Sequence, residues 1–128
     1  MGVELQRPED ADRKRLEAAG NGGAWLTSIL EYIVYLRDRQ LYQGGEAKIE
    51  SAEPTSVDLT AEQPVVVLKT CVDGSGGQMR YRKTDKPVPV ATTAGGTRHT
   101  INARLVYAPS AAGPKMWFLV EEKTVGSC

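Results

Sequence analysis

His99 is the one histidine of the chain, and Cys71 and Cys128 are its two cysteines. A histidine acting as general acid or base needs a poised pKa and a partner within hydrogen-bond reach. Alternation puts His99 on one strand face with Ile101 and Leu105. Asp73 and Glu31 are carboxylates that could face it, and Tyr107, Tyr32, Tyr35 and Tyr81 are candidate hydrogen-bonding phenols. His99, Asp73 and Tyr107 are therefore the catalytic candidates. No spacing joins them, and a lone strand histidine beside a loop reads first as structural. Zinc usually takes four ligands at tight spacing, which one His and two Cys do not supply. The glycine clusters Gly74–Gly77 and Gly95-Gly96 fall between strand-like runs and not between a strand and a helix. They read as turns, not phosphate cradles. No metal and no cofactor is expected.

The two cysteines allow two readings, unrelated thiols or one disulfide. A Cys71–Cys128 bond would close a long loop, worth about 4 kcal/mol by chain entropy, and would imply an oxidising compartment. Spacing alone leaves both open. Lys plus Arg and Asp plus Glu are both 16, so the formal net charge is zero. Such a chain has no global field to attract nucleic acid or anionic lipid, which leaves only local patches, and no nucleic acid is expected as a partner. Arg80, Arg82, Arg98 and Arg104 could still collect on one sheet surface, balanced by Glu121 and Glu122. No apolar run approaches the ~20 residues that span a bilayer. The opening Met1–Gln6 lacks the basic and apolar regions of a signal peptide. Membrane attachment is expected only through an N-terminal anchor outside this chain.

These residues need elements to hold them. Residues 1–7 read as a lead-in and 8–128 as one domain. Pro8-Glu9-Asp10 reads as a helix start, and residues 10–19 as a short surface helix anchored by Leu16. Gly20-Asn21-Gly22-Gly23 ends it. Residues 24–43 carry Trp25, Ile29, Ile33 and Leu36 at helical spacing, with Gly44-Gly45 as the stop. From there the period is two. Residues 47–59 are interrupted by Pro54, which predicts an edge strand or bulge. Residues 64–73 are valine-rich and predict a central strand. Gly74–Gly77 predicts a hairpin loop, with strands following over 78–83, 97–109 and 115–124 and a turn at 110–114. Helices first and strands last indicate an α+β domain.

The strand Val67-Leu68-Lys69-Thr70-Cys71-Val72-Asp73 is followed by a Gly-rich turn and by Arg82-Lys83-Thr84-Asp85-Lys86-Pro87-Val88. Then come a long strand, Met116-Trp117-Phe118-Leu119-Val120 and a terminal Gly126-Ser127-Cys128. With Leu36–Gly45 at the helix end, this pattern resembles small secreted or lipid-anchored actinobacterial proteins (and phage or plasmid relatives) of the NTF2-like superfamily. It covers residues 24–128. The resemblance implies an NTF2-like (cystatin-like) cone, with N-terminal helices on a curved antiparallel sheet of four to six strands. It also implies export and a Cys71–Cys128 disulfide. Two departures stand out: residues 1–23 offer little apolar face for a first long helix, and Asp85 stands where the family often has Gly.

The expected function is non-enzymatic, the binding of a protein partner or a small apolar ligand in an extracytoplasmic setting. Trp25, Ile29, Ile33, Leu105 and Phe118 are expected to line the pocket or core, and the sheet face could form a homodimer. The alternatives are a small isomerase- or hydrolase-like enzyme using His99 or a pocket acid, and a structural part of a cell-envelope assembly.

Overall fold

The computed structural model describes Pro8 and residues 11–89 and 98–128. The expected lead-in, Glu9, Asp10 and the Gly95-Gly96 turn lie outside the described residues. The architecture is α+β: two helices, then a four-stranded and a two-stranded antiparallel sheet.

Helix α1 (Arg13–Ala18) is shorter than the 10–19 expected. Asp12 sets its start, because its carboxylate accepts the Arg15 N–H at 2.8 Å and satisfies an otherwise unpaired donor. Leu16 is buried as predicted. Helix α2 (Gly23–Arg39) buries Leu26, Ile29, Ile33 and Leu36 along one side. These residues recur every three or four positions, so one stripe faces inward. With Leu16 and Ala11, the first three form the core cluster, and Trp25 and Leu30 pack against it. The Arg37 guanidinium donates to the Pro8 and Ala11 carbonyls, which fastens the chain ahead of α1 to the last turn of α2.

The helix stops four residues before the expected Gln43. Gln40 adopts the left-handed conformation (φ 55°), and its N–H bonds back to the Leu36 and Arg37 carbonyls. Leu41 then begins a strand, β1 (Leu41–Gly45), which pairs with β4 (Gly77–Tyr81). Pairing with β4 buries Leu41 and supplies partners for a backbone that helix propensity alone would have wound further.

The main sheet has the order β2-β3-β5-β6, with β2 (Lys48–Asp58), β3 (Val65–Asp73), β5 (Arg98–Pro109) and β6 (Lys115–Ser127). Within this sheet the strands lie in chain order, with β4 passed over between β3 and β5. Gly74–Gly77 corrects one expectation. It contains a tight turn, with the Gly77 N–H bonded to the Gly74 carbonyl at 3.0 Å. Yet β4 does not fold back on β3; it pairs with β1 instead. The glycines are a corner where one long ribbon passes from the main sheet into the small one. At that corner Gly45 has φ 70°, and a Cβ there would strike the Gly76 carbonyl oxygen. Only glycine tolerates both demands.

Cross-strand register separates the two faces of the main sheet, because adjacent rows point to opposite sides. Val57–Val66–Leu105–Leu119 and Pro54–Leu68–Ala103–Glu122 are rows of one face. Glu53–Lys69–Asn102–Lys123 and Ser51–Cys71–Thr100–Gly126 are rows of the other. Burial at the end of an apolar row raises the Glu122 carboxyl above its ordinary pKa. Cys71 and Cys128 form a disulfide with Cα atoms 6.0 Å apart. β3 and β6 are not neighbours, so the bond passes over β5 near Thr100, which is buried and whose hydroxyl donates to the Ser127 carbonyl at 3.3 Å.

Candidate functional site

Gly20-Asn21-Gly22, expected only to end a helix, runs alongside β6. Asn21 forms a parallel bridge with Leu119. The Leu119 N–H donates to the Gly20 carbonyl at 2.7 Å, and the Gly22 N–H donates to the Leu119 carbonyl at 2.9 Å. Glycine eases this approach at two positions: a Cβ on Gly20 would lie 3.2 Å from the Trp117 carbonyl oxygen, and one on Gly23 3.2 Å from Val120. Asn21 is buried and satisfied, donating from Nδ2 to the Leu16 carbonyl at 2.9 Å and accepting from Trp25 Nε1 at 2.8 Å.

Beside this seam lies an open cleft of about 720 Å³. Its floor is apolar, with Leu26 from α2, Val106 and Ala108 from β5, and Met116, Phe118 and Val120 from β6. Its far wall is the β5–β6 turn, fixed by the Ser110 N–H and hydroxyl, which donate to the Pro114 carbonyl at 2.9 and 2.7 Å. Its titratable residues, Arg13, Lys14 and Glu17, belong to α1, and Arg13 Nε holds Glu17 Oε1 at 3.0 Å. The volume falls in the range of small-molecule sites. The lining supplies apolar contact with a polar margin, and no histidine or cysteine.

The expected lining residues divide. Phe118 lines the cleft; Ile29 and Ile33 lie in the helical core, and Trp25 packs on that core. Leu105 sits in the sheet between Val66 and Leu119 and not in the cleft. The catalytic candidates are not brought together. His99 pairs with Val72 and Ser127, whereas Asp73 pairs with Lys48 and Arg98 in the adjacent row, so the two face opposite sides of the sheet. Asp73 accepts the Ser75 N–H at 2.9 Å. Tyr107 is eight residues from His99 on β5, roughly 26 Å away at about 3.3 Å per residue, and packs on Trp117 at 5.2 Å between ring centroids. Glu31 is exposed on α2. No group of three His, Cys, Asp or Glu able to hold a metal occurs among the described residues.

The four arginines expected to share a face are split. Arg98 pairs with Glu50 at 3.0 Å, and Arg104 lies opposite Glu121 in the main sheet. Arg80 belongs to the small sheet, and Arg82 follows its last residue. The corner at Gly74–Gly77 turns that ribbon out of the main sheet and takes both arginines with it.

No protein-family profile and no curated protein matches this sequence. Among solved structures, the chain is similar to the intermembrane space region of the chloroplast protein ARC6, with a TM-score of 0.58 and 9% identity. The match covers 98% of this chain and 85% of that one. At that identity the likeness concerns the fold, an α+β arrangement.

Proposed function

We propose that this chain is an exported NTF2-like domain that binds an apolar guest, a small ligand or the apolar side chains of a partner protein, in the cleft beside β6. The observation that carries this reading is the continuous apolar floor of Leu26, Val106, Met116, Phe118 and Val120, open to solvent on one side. Burying such a surface against an apolar guest is favourable by about 25 cal/mol per Å². Export is supported by the Cys71–Cys128 bond, since disulfides persist mainly in oxidising compartments. The lining favours binding over catalysis. Among the described residues its one carboxylate, Glu17, is engaged by Arg13, and a general acid or base must be able to reach the reacting proton.

Ala108 offers the cleanest test, because it lines the cleft and lies outside the helical core. Ala108→Trp fills the trough. Titration with a fluorescent fatty-acid analogue should give a dissociation constant at least about ten-fold weaker than for the wild type, with the melting temperature retained. Equal affinity in a folded Ala108→Trp protein would place the site elsewhere.

A further inference from the structure

The other end of α2, about 24 Å from the cleft at about 1.5 Å per residue, is cationic. Arg39 is the last residue of the helix, with its guanidinium carbon 4.6 Å above the Tyr35 ring. Beyond β4 the chain reverses through Arg82-Lys83-Thr84-Asp85-Lys86-Pro87. That turn is firmly built. The Tyr81 N–H donates to the Lys86 carbonyl at 2.9 Å, and the Asp85 N–H donates to the Tyr81 carbonyl at 2.8 Å. Arg80 Nη1 donates to the Asp85 carbonyl at 2.7 Å, and the Arg82 N–H donates to the Gln40 carbonyl at 2.9 Å. The last bond joins the turn to the cap of α2. Arg39, Lys83 and Lys86 thus surround a shallow hollow of about 480 Å³, together with Tyr81, Pro87 and Pro89.

Asp38 and Asp85 are the carboxylates nearest in the chain. Among the described residues neither forms an ion pair with Lys83 or Lys86. A cation at a helix C-terminus complements the helix dipole, which accounts for Arg39. It does not account for two lysines held on a rigid turn. Two exposed tyrosines adjoin this patch, each 42% exposed: Tyr81 lines the hollow, and Tyr35 lies beneath the Arg39 guanidinium. Lysine and arginine mixed with tyrosine is the composition of a bilayer interface, where the rings sit at headgroup depth and the cations meet lipid phosphates.

We propose that this end of the molecule docks peripherally on an anionic phospholipid surface. Arg39, Lys83 and Lys86 meet the phosphates, and Tyr35 and Tyr81 enter the headgroup layer. No helix among the described residues is long and apolar enough to cross a membrane, so contact through this patch lies on the surface. Docking is independent of the cleft reading, since the two sets of lining residues do not overlap.

Vesicle co-sedimentation of the full, disulfide-bonded chain tests the proposal. Vesicles of phosphatidylcholine mixed with phosphatidylglycerol should bind the protein, pure phosphatidylcholine should not, and added salt should release it. Each lysine neutralised should lower the partition coefficient about five-fold, so Lys83→Gln with Lys86→Gln should lower it on the order of 25-fold. Lys69→Gln with Lys123→Gln, a control on the main sheet, should change it less than about two-fold. Circular dichroism checks that both pairs of variants fold. Equal binding to both vesicle types, no binding to either, or full retention in the Lys83/Lys86 pair would overturn the proposal. So would binding confined to a soluble polyanion such as heparin.

Discussion

Helix α2 and strand β2 are both long elements, yet they are held in different ways. α2 buries Leu26, Ile29, Ile33 and Leu36, and Leu36 is 0% exposed. Every residue of β2 is exposed, Val57 by 55%. The helix is fixed by apolar burial, whereas β2 is fixed by its ladder to β3. An exposed edge strand invites pairing with another chain, and β2 carries the features that discourage it. Pro54 removes a donor, Lys48, Glu50 and Glu53 add charge, and two register shifts interrupt the ladder. Tight packing and edge protection are thus separated in this molecule, with packing assigned to the helices and protection from misassociation to the strand.

The sharpest way to break this contrast is to truncate one residue from each element. Leu36→Ala should cost about 2–5 kcal/mol in urea denaturation, and Val57→Ala less than about 0.5 kcal/mol. Comparable losses would show that the exposed strand shares the helical core's energetics. A double Cys71→Ser, Cys128→Ser variant should come next, losing up to about 4 kcal/mol. Its effect should be local as well. Amide exchange should quicken most at Thr100 and Ser127, beneath and beside the lost bond, and least at Ile33. Uniform quickening would mean that the bond acts only through the unfolded chain.

The smallest expected effect concerns Glu122. Its carboxyl is raised by burial, so the unfolded state releases the proton more readily than the folded state. Stability is therefore highest below the ordinary carboxylate pKa and is lost as pH rises through the raised value. Glu122→Gln should raise the melting temperature at pH 7, with the difference vanishing near pH 4. A gain that persists unchanged at pH 4 would assign the effect to packing and not to charge.

Much of the fold was legible because periodicity reports burial directly. The spacing of Ile29, Ile33 and Leu36 marked the helix, and alternation marked β3, β5 and β6 to within a few residues. The end of α2 was misjudged because Leu41 and Tyr42 continue an apolar stripe, while a left-handed Gln40 leaves no sequence signature as plain as glycine. The Gly74–Gly77 corner was read as a hairpin because local turn chemistry does not say which strand comes next in the sheet. The cleft was the least legible feature. Phe118 was anticipated, but Val106, Ala108 and Met116 depend on a long-range seam at Gly20–Gly22. Two glycines flanking an asparagine between helices were its only trace, and such a run reads equally well as a plain terminator.

The disulfide also shapes how the chain would bear tension. Cys128 is bonded to Cys71, 57 positions earlier. A pull that reaches Cys128 from its carboxyl side therefore passes through the sulfur bridge into β3 and bypasses β5 and β6. Those strands form a closed loop that cannot be drawn out while the bond holds. The extensible length of the protein is shortened by roughly 200 Å, at about 3.6 Å per residue. The β6 side of the cleft floor lies inside the part that force does not reach, whereas Gly20–Gly22, the other half of the seam, lies outside it.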